Sequence, residues 1–282
     1  METYNALKIV FSKALKDVYP SNELDRIFFL ILQEKLGWKK IDFILNRNNS
    51  PNTELLQFID KVIPELKNNK PIQHILGCVS FYDLELKVNK DVLIPRPETE
   101  ELVAKIISEI SYNSSLSVLD IGTGSGCIPL ALKHQSPNLV CSGIDVSIAA
   151  LSVAKENANK LGLDVDFRQQ DVFKSSLKFN SIDIIVSNPP YIPKKEIASM
   201  SSNVVDYEPH SALFVEDDNP LMFYIHIATI GRNVLKDNGK IYFEIHENYA
   251  DQVVNLLSNL NYSNISIFKD LQGKNRMIRA SK

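Results

Sequence analysis

Apolar residues in the first seventy or so positions recur at helical spacing. Between Ser21 and Leu36, residues Leu24, Ile27, Phe28, Ile31, Leu32 and Leu36 fall on one helical face. Ser21 suits the N-cap of this helix and Gly37 the residue just past its end. A further helix is expected to start at Ser50-Pro51, with Pro51 at the first helical position and Leu55, Leu56, Ile59 and Ile63 as its apolar residues. Pro64 is expected to kink or end it. No strand pattern appears here, so this stretch reads as a small helical domain, residues 1–70. The polar run Asn68 to Pro71 then opens a linker. Two short alternating runs, Val79-Phe81 and Glu85-Val88, suit a hairpin, giving a connecting segment over 71–92.

From Leu93 the pattern changes. The prolines Pro95 and Pro97 force extended backbone at Ile94 and Arg96, and a helix is predicted from Pro97 to about Ile110. Beyond Leu116, apolar strand-like runs alternate with amphipathic segments. The strands are Ser117-Ile121, Leu139-Ile144, Val165-Arg168, Ile182-Ser187, Lys240-Ile245 and Ile265-Phe268. The helices are Cys127-His134, Ile148-Leu161, Leu221-Leu235 and Tyr249-Leu260. Such alternation predicts an α/β fold over 93–282, a mostly parallel sheet with helices on both faces.

With 282 residues, 44% of them hydrophobic, the chain suits one large domain or two modest ones with real cores. The formal net charge of −3 lacks the basic excess that phosphate neutralisation demands, so no direct nucleic-acid partner is expected. Cys78, Cys127 and Cys141 are scattered and odd in number, which points to free thiols in a reducing compartment rather than a disulfide framework or zinc site. No metal is expected. Residues Met1 to Val10 do not form a signal peptide, and no apolar run is long enough to span a bilayer. A cytoplasmic protein without a membrane partner is the expectation.

The chemistry gathers at the predicted strand ends. Val118-Leu119-Asp120-Ile121 runs into Gly122-Thr123-Gly124-Ser125-Gly126 and then a helix. Glycines let backbone turn sharply and approach a ligand, and ligands of open α/β sheets bind beyond the carboxyl ends of the strands. Such a turn suits a dinucleotide as well as S-adenosylmethionine, and it also occurs as plain structure. The second strand ends at Asp145, nineteen residues after Gly126. A carboxylate there can accept from both ribose hydroxyls, although acids at strand ends also serve as helix-cap neighbours. After the third strand, Asp171 can accept from an adenine amino group. Phe173 can pack on the ring, although an ordinary core aromatic is the commoner role.

The fourth strand ends in Asn188-Pro189-Pro190-Tyr191. An amide nitrogen is a poor nucleophile because its lone pair is delocalised, the resonance behind the rotation barrier of about 18–20 kcal/mol. A site that methylates one must hold the NH2 hydrogens and aim the lone pair. The Asn188 side-chain oxygen and the Pro189 carbonyl can act as the two acceptors. Pro190 restricts Pro189 to extended backbone, and Tyr191 can lie against the flat group. No strong base is needed, because the proton can leave after transfer.

These residues resemble class I, Rossmann-like methyltransferases of the Asn-Pro-Pro-Tyr type. That group includes DNA adenine-N6, RNA guanine-N2 and protein glutamine-N5 enzymes. Leu93 to Glu100, Pro71 to Gly77, Tyr207-Glu208-Pro209 with Ala212-Leu213, and Asp270 to Arg276 narrow the likeness to the peptide chain release factor N5-glutamine methyltransferases. The resemblance implies a mostly parallel seven-stranded sheet behind a helical bundle. It implies S-adenosyl-L-methionine as co-substrate, with S-adenosyl-L-homocysteine as product. It places Gly122, Thr123, Gly124, Ser125 and Gly126 along the methionine part, Asp145 at ribose and Phe173 beside adenine. It has Asn188 and Pro189 gripping a glutamine amide, with Asn188 also beside the cofactor, while Pro190 and Tyr191 shape the slot. The implied partner is the Gly-Gly-Gln loop of a bacterial release factor, faced by Arg96 and Glu98 and gripped by the helical domain.

One segment departs from the pattern. His246-Glu247-Asn248 follow Phe243-Glu244-Ile245 where the family usually has glycine, and the departure is expected to lie away from the chemistry. Two rival readings fit the same residues less well: a DNA adenine methyltransferase, which would need a basic face and base flipping, and a non-catalytic scaffold, which has no need of two aligned acceptors.

Overall fold

The computed structural model describes residues 3–113, 115–174, 179 and 181–282. The chain divides into two compact units. One comprises Met1–Gly77 with Ser201–Tyr207; the other comprises Cys78–Met200 with Glu208–Lys282.

The first unit is built from helices α1 (Tyr4–Leu15), α2 (Ser21–Leu36), α3 (Lys40–Asn46), α4 (Thr53–Lys67) and α5 (Ile72–Leu76). Their apolar faces meet in one core around Phe11, Phe28, Ile31, Ile59 and Leu66. Three local expectations are corrected. Pro20, not Ser21, is the N-cap of α2, and its carbonyl receives the Glu23 and Leu24 N–H groups. Helix α4 begins after Asn52, because the Asn52 side chain accepts from Leu55 N at 2.8 Å and Pro51 offers no such acceptor. Pro64 does not end α4, which runs on to Lys67. Its missing N–H would have gone to the carbonyl of Asp60, an exposed residue where water can take its place. The stretch expected as linker holds α5, closed by Gly77 in left-handed backbone.

The second unit opens with the antiparallel hairpin β1 (Cys78–Phe81) and β2 (Leu84–Lys87), which sinks Phe81, Leu84 and Leu86 into a core of this unit. Then follow α6 (Pro97–Ser108), β3 (Ser117–Ile121), α7 (Cys127–Gln135), β4 (Val140–Asp145), α8 (Ile148–Leu161), β5 (Val165–Gln169) and β6 (Ile182–Ser187). A two-residue strand pair joins β7 (Ile192–Pro193) to β8 (Phe214–Val215), and the one-turn helix α9 (Ser202–Val205) between them counts with the first unit. The chain finishes with α10 (Met222–Val234), β9 (Leu235–Glu244), α11 (Ala250–Asn259), β10 (Ser263–Lys269) and β11 (Asn275–Ser281).

Seven strands form one sheet in the order β10-β11-β9-β6-β3-β4-β5. The pairs from β9 through β5 are parallel, while β11 runs antiparallel to both β9 and β10. The mostly parallel sheet is as expected. Strand β11 was not anticipated, because Asn275 to Ser281 carries polar and charged residues through an inserted strand.

Central strands are buried on both faces, which explains their near-continuous apolar runs. Successive residues point to opposite cores. Val118, Ile184 and Tyr242 pack on the side of α6, α7 and α8, while Leu119, Ile185 and Phe243 pack on the side of α10 and α11. The order reverses at β3, which has β4 on one side and β6 on the other. Beyond such a reversal the loops splay apart and leave a crevice at the strand tips.

Gly143 of β4 has no room for a side chain. A Cβ there would lie 2.7 Å from the Thr123 hydroxyl and 2.8 Å from the Phe167 ring. Gly143→Ala is therefore expected to cost about 1–3 kcal/mol, read as a lower urea midpoint for this unit.

Candidate active site

The glycine turn is fixed by what its backbone bonds to. Gly122, Gly124 and Gly126 sit at φ +77, +54 and +80, in left-handed backbone that glycine adopts without strain. The N–H groups of Gly122 and Thr123 both donate to the Ile144 carbonyl, at 2.9 and 3.0 Å. Gly124 N donates to Asp145 Oδ2 at 2.9 Å, and Ser147 N donates to Oδ1 at 2.9 Å. The tips of β3 and β4 are thereby locked together. The next tip is tied in the same way, since the buried Ser187 hydroxyl donates to the Ile121 carbonyl at 2.6 Å.

A cavity of about 410 Å³ opens beyond these three tips. Its wall includes Gly122, Gly124, Asp145, Asp171, Phe173 and Asn188, and also Pro189 and Pro190. Thr123, Ser125 and Gly126 are not on it. The Thr123 and Ser125 side chains are buried, and a Cβ on Gly126 would strike Phe167 at 2.9 Å. Those three residues shape the turn from behind. Burial raises the Asp145 carboxyl above its ordinary value, against the pull of the Ser147, Gly124 and Val146 N–H groups. At the far end, Asp171 accepts from Phe173 N at 2.9 Å, and this N–H is the main reason its carboxyl is held below the ordinary value. Phe173 is 40% exposed, so it is no core aromatic. Its ring meets Phe223 and His226 edge-on, with centroids 5.0 and 4.7 Å away. Beside it, the Gln170 side-chain oxygen is buried on the wall with no hydrogen-bond partner among the described residues.

Asn188 faces the cavity from the end of β6, and its Nδ2 donates to the Thr99 hydroxyl of α6 at 3.1 Å. Tyr191 turns away from the cavity wall. Its hydroxyl donates to Glu244 Oε1 at 3.0 Å, drawn inward because a buried carboxylate needs donors. Burial, reinforced by the charge of Glu244, raises the tyrosine pKa well above its ordinary value. Arg96 and Glu98 also lie off the wall. Arg96 pairs with Glu208, whose other oxygen accepts from Ile94 N at 2.9 Å. Glu98 meets the Gln272 amide at 3.5 Å. The departure at His246 lies closer to the loop than expected: its ring stands edge-on to Tyr191 at 6.1 Å, and its Nε2 lies 3.2 Å from Glu196.

Sequence reading gave no role to Thr99, Glu208, Glu244, Gln170 or Phe223. Thr99, Glu208 and Glu244 act through partners far along the chain, beyond the reach of local spacing. A usable signal was a lone glutamate closing the apolar strand Ile241-Tyr242-Phe243-Glu244, since an acid there must find donors.

Two family models match the chain: the PrmC N-terminal domain over residues 10–77 and the methyltransferase small domain over residues 100–206. A release factor glutamine methyltransferase of Flavobacterium psychrophilum is 41% identical over 96% of this chain and 96% of its own length. One from Bacteroides thetaiotaomicron is 38% identical over 99% of this chain and all of its own. The chain belongs to the release factor glutamine methyltransferase family. A methyltransferase structure from Pyrococcus furiosus, 15% identical, matches with a TM-score of 0.54 over 79% of this chain and 98% of that one, a likeness of fold. S-adenosylmethionine is the co-substrate that goes with this family, and the resemblance seen in the motifs agrees with the full-length comparison.

Asp120 lies under the methyltransferase's glycine turn at 1% exposure, with no hydrogen-bond partner of good geometry among the described residues. Burial lifts its carboxyl to about 7; the Thr123 hydroxyl opposes this and the charge of Asp145 adds to it. A raised folded-state value means the folded chain holds this proton more tightly than the unfolded chain. Its contribution to stability is full below about pH 4 and is lost as pH rises through about 7. Asp120→Asn cannot ionise and escapes that loss. Its stability relative to the parent should rise between pH 4 and 7.5 by up to about 4 kcal/mol, measured by denaturant unfolding at each pH.

Proposed function

We propose that this enzyme transfers a methyl group from S-adenosyl-L-methionine to the side-chain amide nitrogen, N5, of the glutamine in the Gly-Gly-Gln motif of peptide chain release factors. The observation that carries the reading is the shared wall: Asn188 and Pro189 border the same cavity as Gly122, Gly124 and Asp145. The names of the relatives support the substrate class.

The residues present fit the cofactor. The volume lies in the range of small-molecule sites, about 300–1,000 Å³. Phe173, Phe223, Val172 and Ile227 give one end an apolar lining suited to a flat ring, and the orphaned Gln170 oxygen and the Asp171 carboxylate give it acceptors. Asp145 would hold ribose hydroxyls, while Gly122 and Gly124 admit the methionine part without side-chain obstruction. S-adenosylmethionine, when bound, supplies an electrophilic methyl carbon on a positively charged sulfur.

The chain's own task is orientation. Asn188 Oδ1 and the Pro189 carbonyl accept the two amide hydrogens, which fixes the plane of the substrate NH2 group. Pro190 keeps Pro189 extended, so its carbonyl does not swing away. Tyr191 contributes from behind the loop. Well-oriented reactants can gain about 7–11 kcal/mol, so alignment can supply most of the rate. Arg96 with Glu208, and Glu98, would shape the approach of the release factor loop. The helical unit would be the second platform that holds the factor. Free cysteines with thiols raised to about 12 by burial, Cys127 and Cys141, suit a reducing compartment such as the cytoplasm, and no helix among the described residues is long and apolar enough to cross a membrane.

Incubation with a purified release factor and S-adenosylmethionine, followed by peptide mass mapping, should show one methyl on the Gly-Gly-Gln glutamine and none transferred to duplex DNA. Methyl on DNA with an unmodified factor would reverse the assignment. Asn188→Ala should lower turnover at least about a hundredfold, with cofactor affinity by calorimetry changed less than about threefold.

A further inference from the structure

The geometry points to Thr99 and Glu244 as positioning residues that set which way the Asn188 amide faces. The inference rests on the methyl-transfer reading of the cavity and adds two residues that act on it from behind.

Three hydrogen bonds form one directed chain. Glu244, at 1% exposure, accepts from the Thr99 hydroxyl at 2.6 Å through Oε2 and from the Tyr191 hydroxyl at 3.0 Å through Oε1. Thr99, at 2% exposure, then receives Asn188 Nδ2 at 3.1 Å. An ionised carboxylate has only lone pairs to offer, and a hydroxyl has a single hydrogen. With that hydrogen committed to Glu244, the Thr99 oxygen can only accept. The group meeting it must therefore be the NH2 of Asn188, and Oδ1 is the atom left for the cavity. Reversing either link through Thr99 would present NH2 to the cavity, where it would oppose the NH2 group of a substrate.

Glu244 thus acts at both ends of the Asn188-Pro189-Pro190-Tyr191 run. It orients the first residue through Thr99 and holds the last one directly. Burial raises the Glu244 carboxyl above its ordinary value; the Thr99 and Tyr191 hydroxyls and the charge of Arg276 pull it back towards the ionised form, and the charge of Glu98 opposes them. The threonine comes from the first turn of α6 and the glutamate from the end of β9, so the amide is referred to two elements of the rigid core rather than to its own loop.

The test uses the full chain. Thr99→Val keeps the shape and deletes the hydroxyl; Thr99→Ser keeps the hydroxyl. Turnover of Thr99→Val on the release factor should fall at least twentyfold, with the cofactor KM and S-adenosylhomocysteine affinity within threefold of the parent. Thr99→Ser should keep at least a third of parent turnover. Glu244→Gln should slow turnover as well, and combining it with Thr99→Val should add less than threefold, as expected of two links in one chain. Thr99→Ala, which cannot overfill the site, gives the same reading if valine disturbs the fold. Parent-like turnover in Thr99→Val, or a Thr99→Ser variant as slow as Thr99→Val, would overturn the inference. A parent that leaves the release factor unmethylated removes the substrate reading alone. The chain is then judged from the Asn188 side-chain amide in NMR, whose protons should exchange at least tenfold faster in Thr99→Val, and unchanged exchange would overturn it.

Discussion

Glu244 lies at the end of a buried strand, 1% exposed, and both of its oxygens are met by hydroxyls from other elements. A carboxylate out of water is tolerable only when donors replace the solvent. That constraint recurs at other acids of the same unit. Asp145 takes the Gly124 N–H, Glu208 takes the Ile94 N–H and the Arg96 guanidinium, and Asp270 takes the Gln272 and Lys274 N–H groups together with Arg276. Each acid fastens a segment that has no helix or strand partners of its own. Asp145 in this way ties the glycine turn beside the cavity to the tip of β4.

What could be read from the residues divides along the same line. Features that repeat within a few positions were legible: the strand-and-helix alternation, the glycine turn and the Asn-Pro-Pro-Tyr run at a strand end. So was Gly37 at a helix end, because left-handed backbone after a periodic run is a local property. The pairing of Thr99 with Glu244 spans 145 positions and that of Arg96 with Glu208 spans 112, and no local spacing announces either. The passage of α4 through Pro64 failed for a different reason. Proline costs a helix one bond, and near an exposed C-terminal turn water can make that good.

The glycine turn shows how a motif divides its labour. Two of its glycines face the cavity, while Thr123, Ser125 and Gly126 pack backwards against neighbours such as Phe167. A five-residue motif read as one binding surface is in space a two-residue surface on a three-residue footing. His246 carries the opposite lesson. Expected to lie away from the chemistry, its ring stands edge-on to the Tyr191 ring and its Nε2 lies 3.2 Å from Glu196.

The helical unit is not one uninterrupted stretch of polypeptide. Residues 201–207 return to it from the far half of the chain, and the Tyr207 hydroxyl donates to the Asn68 carbonyl, just past the end of α4, at 2.8 Å. A gene cut after codon 77 would thus encode a bundle with an unfilled acceptor where that tyrosine belongs. Trading helical modules between homologous enzymes would in turn mean splicing at two places, so that the short returning segment travels with the module it completes.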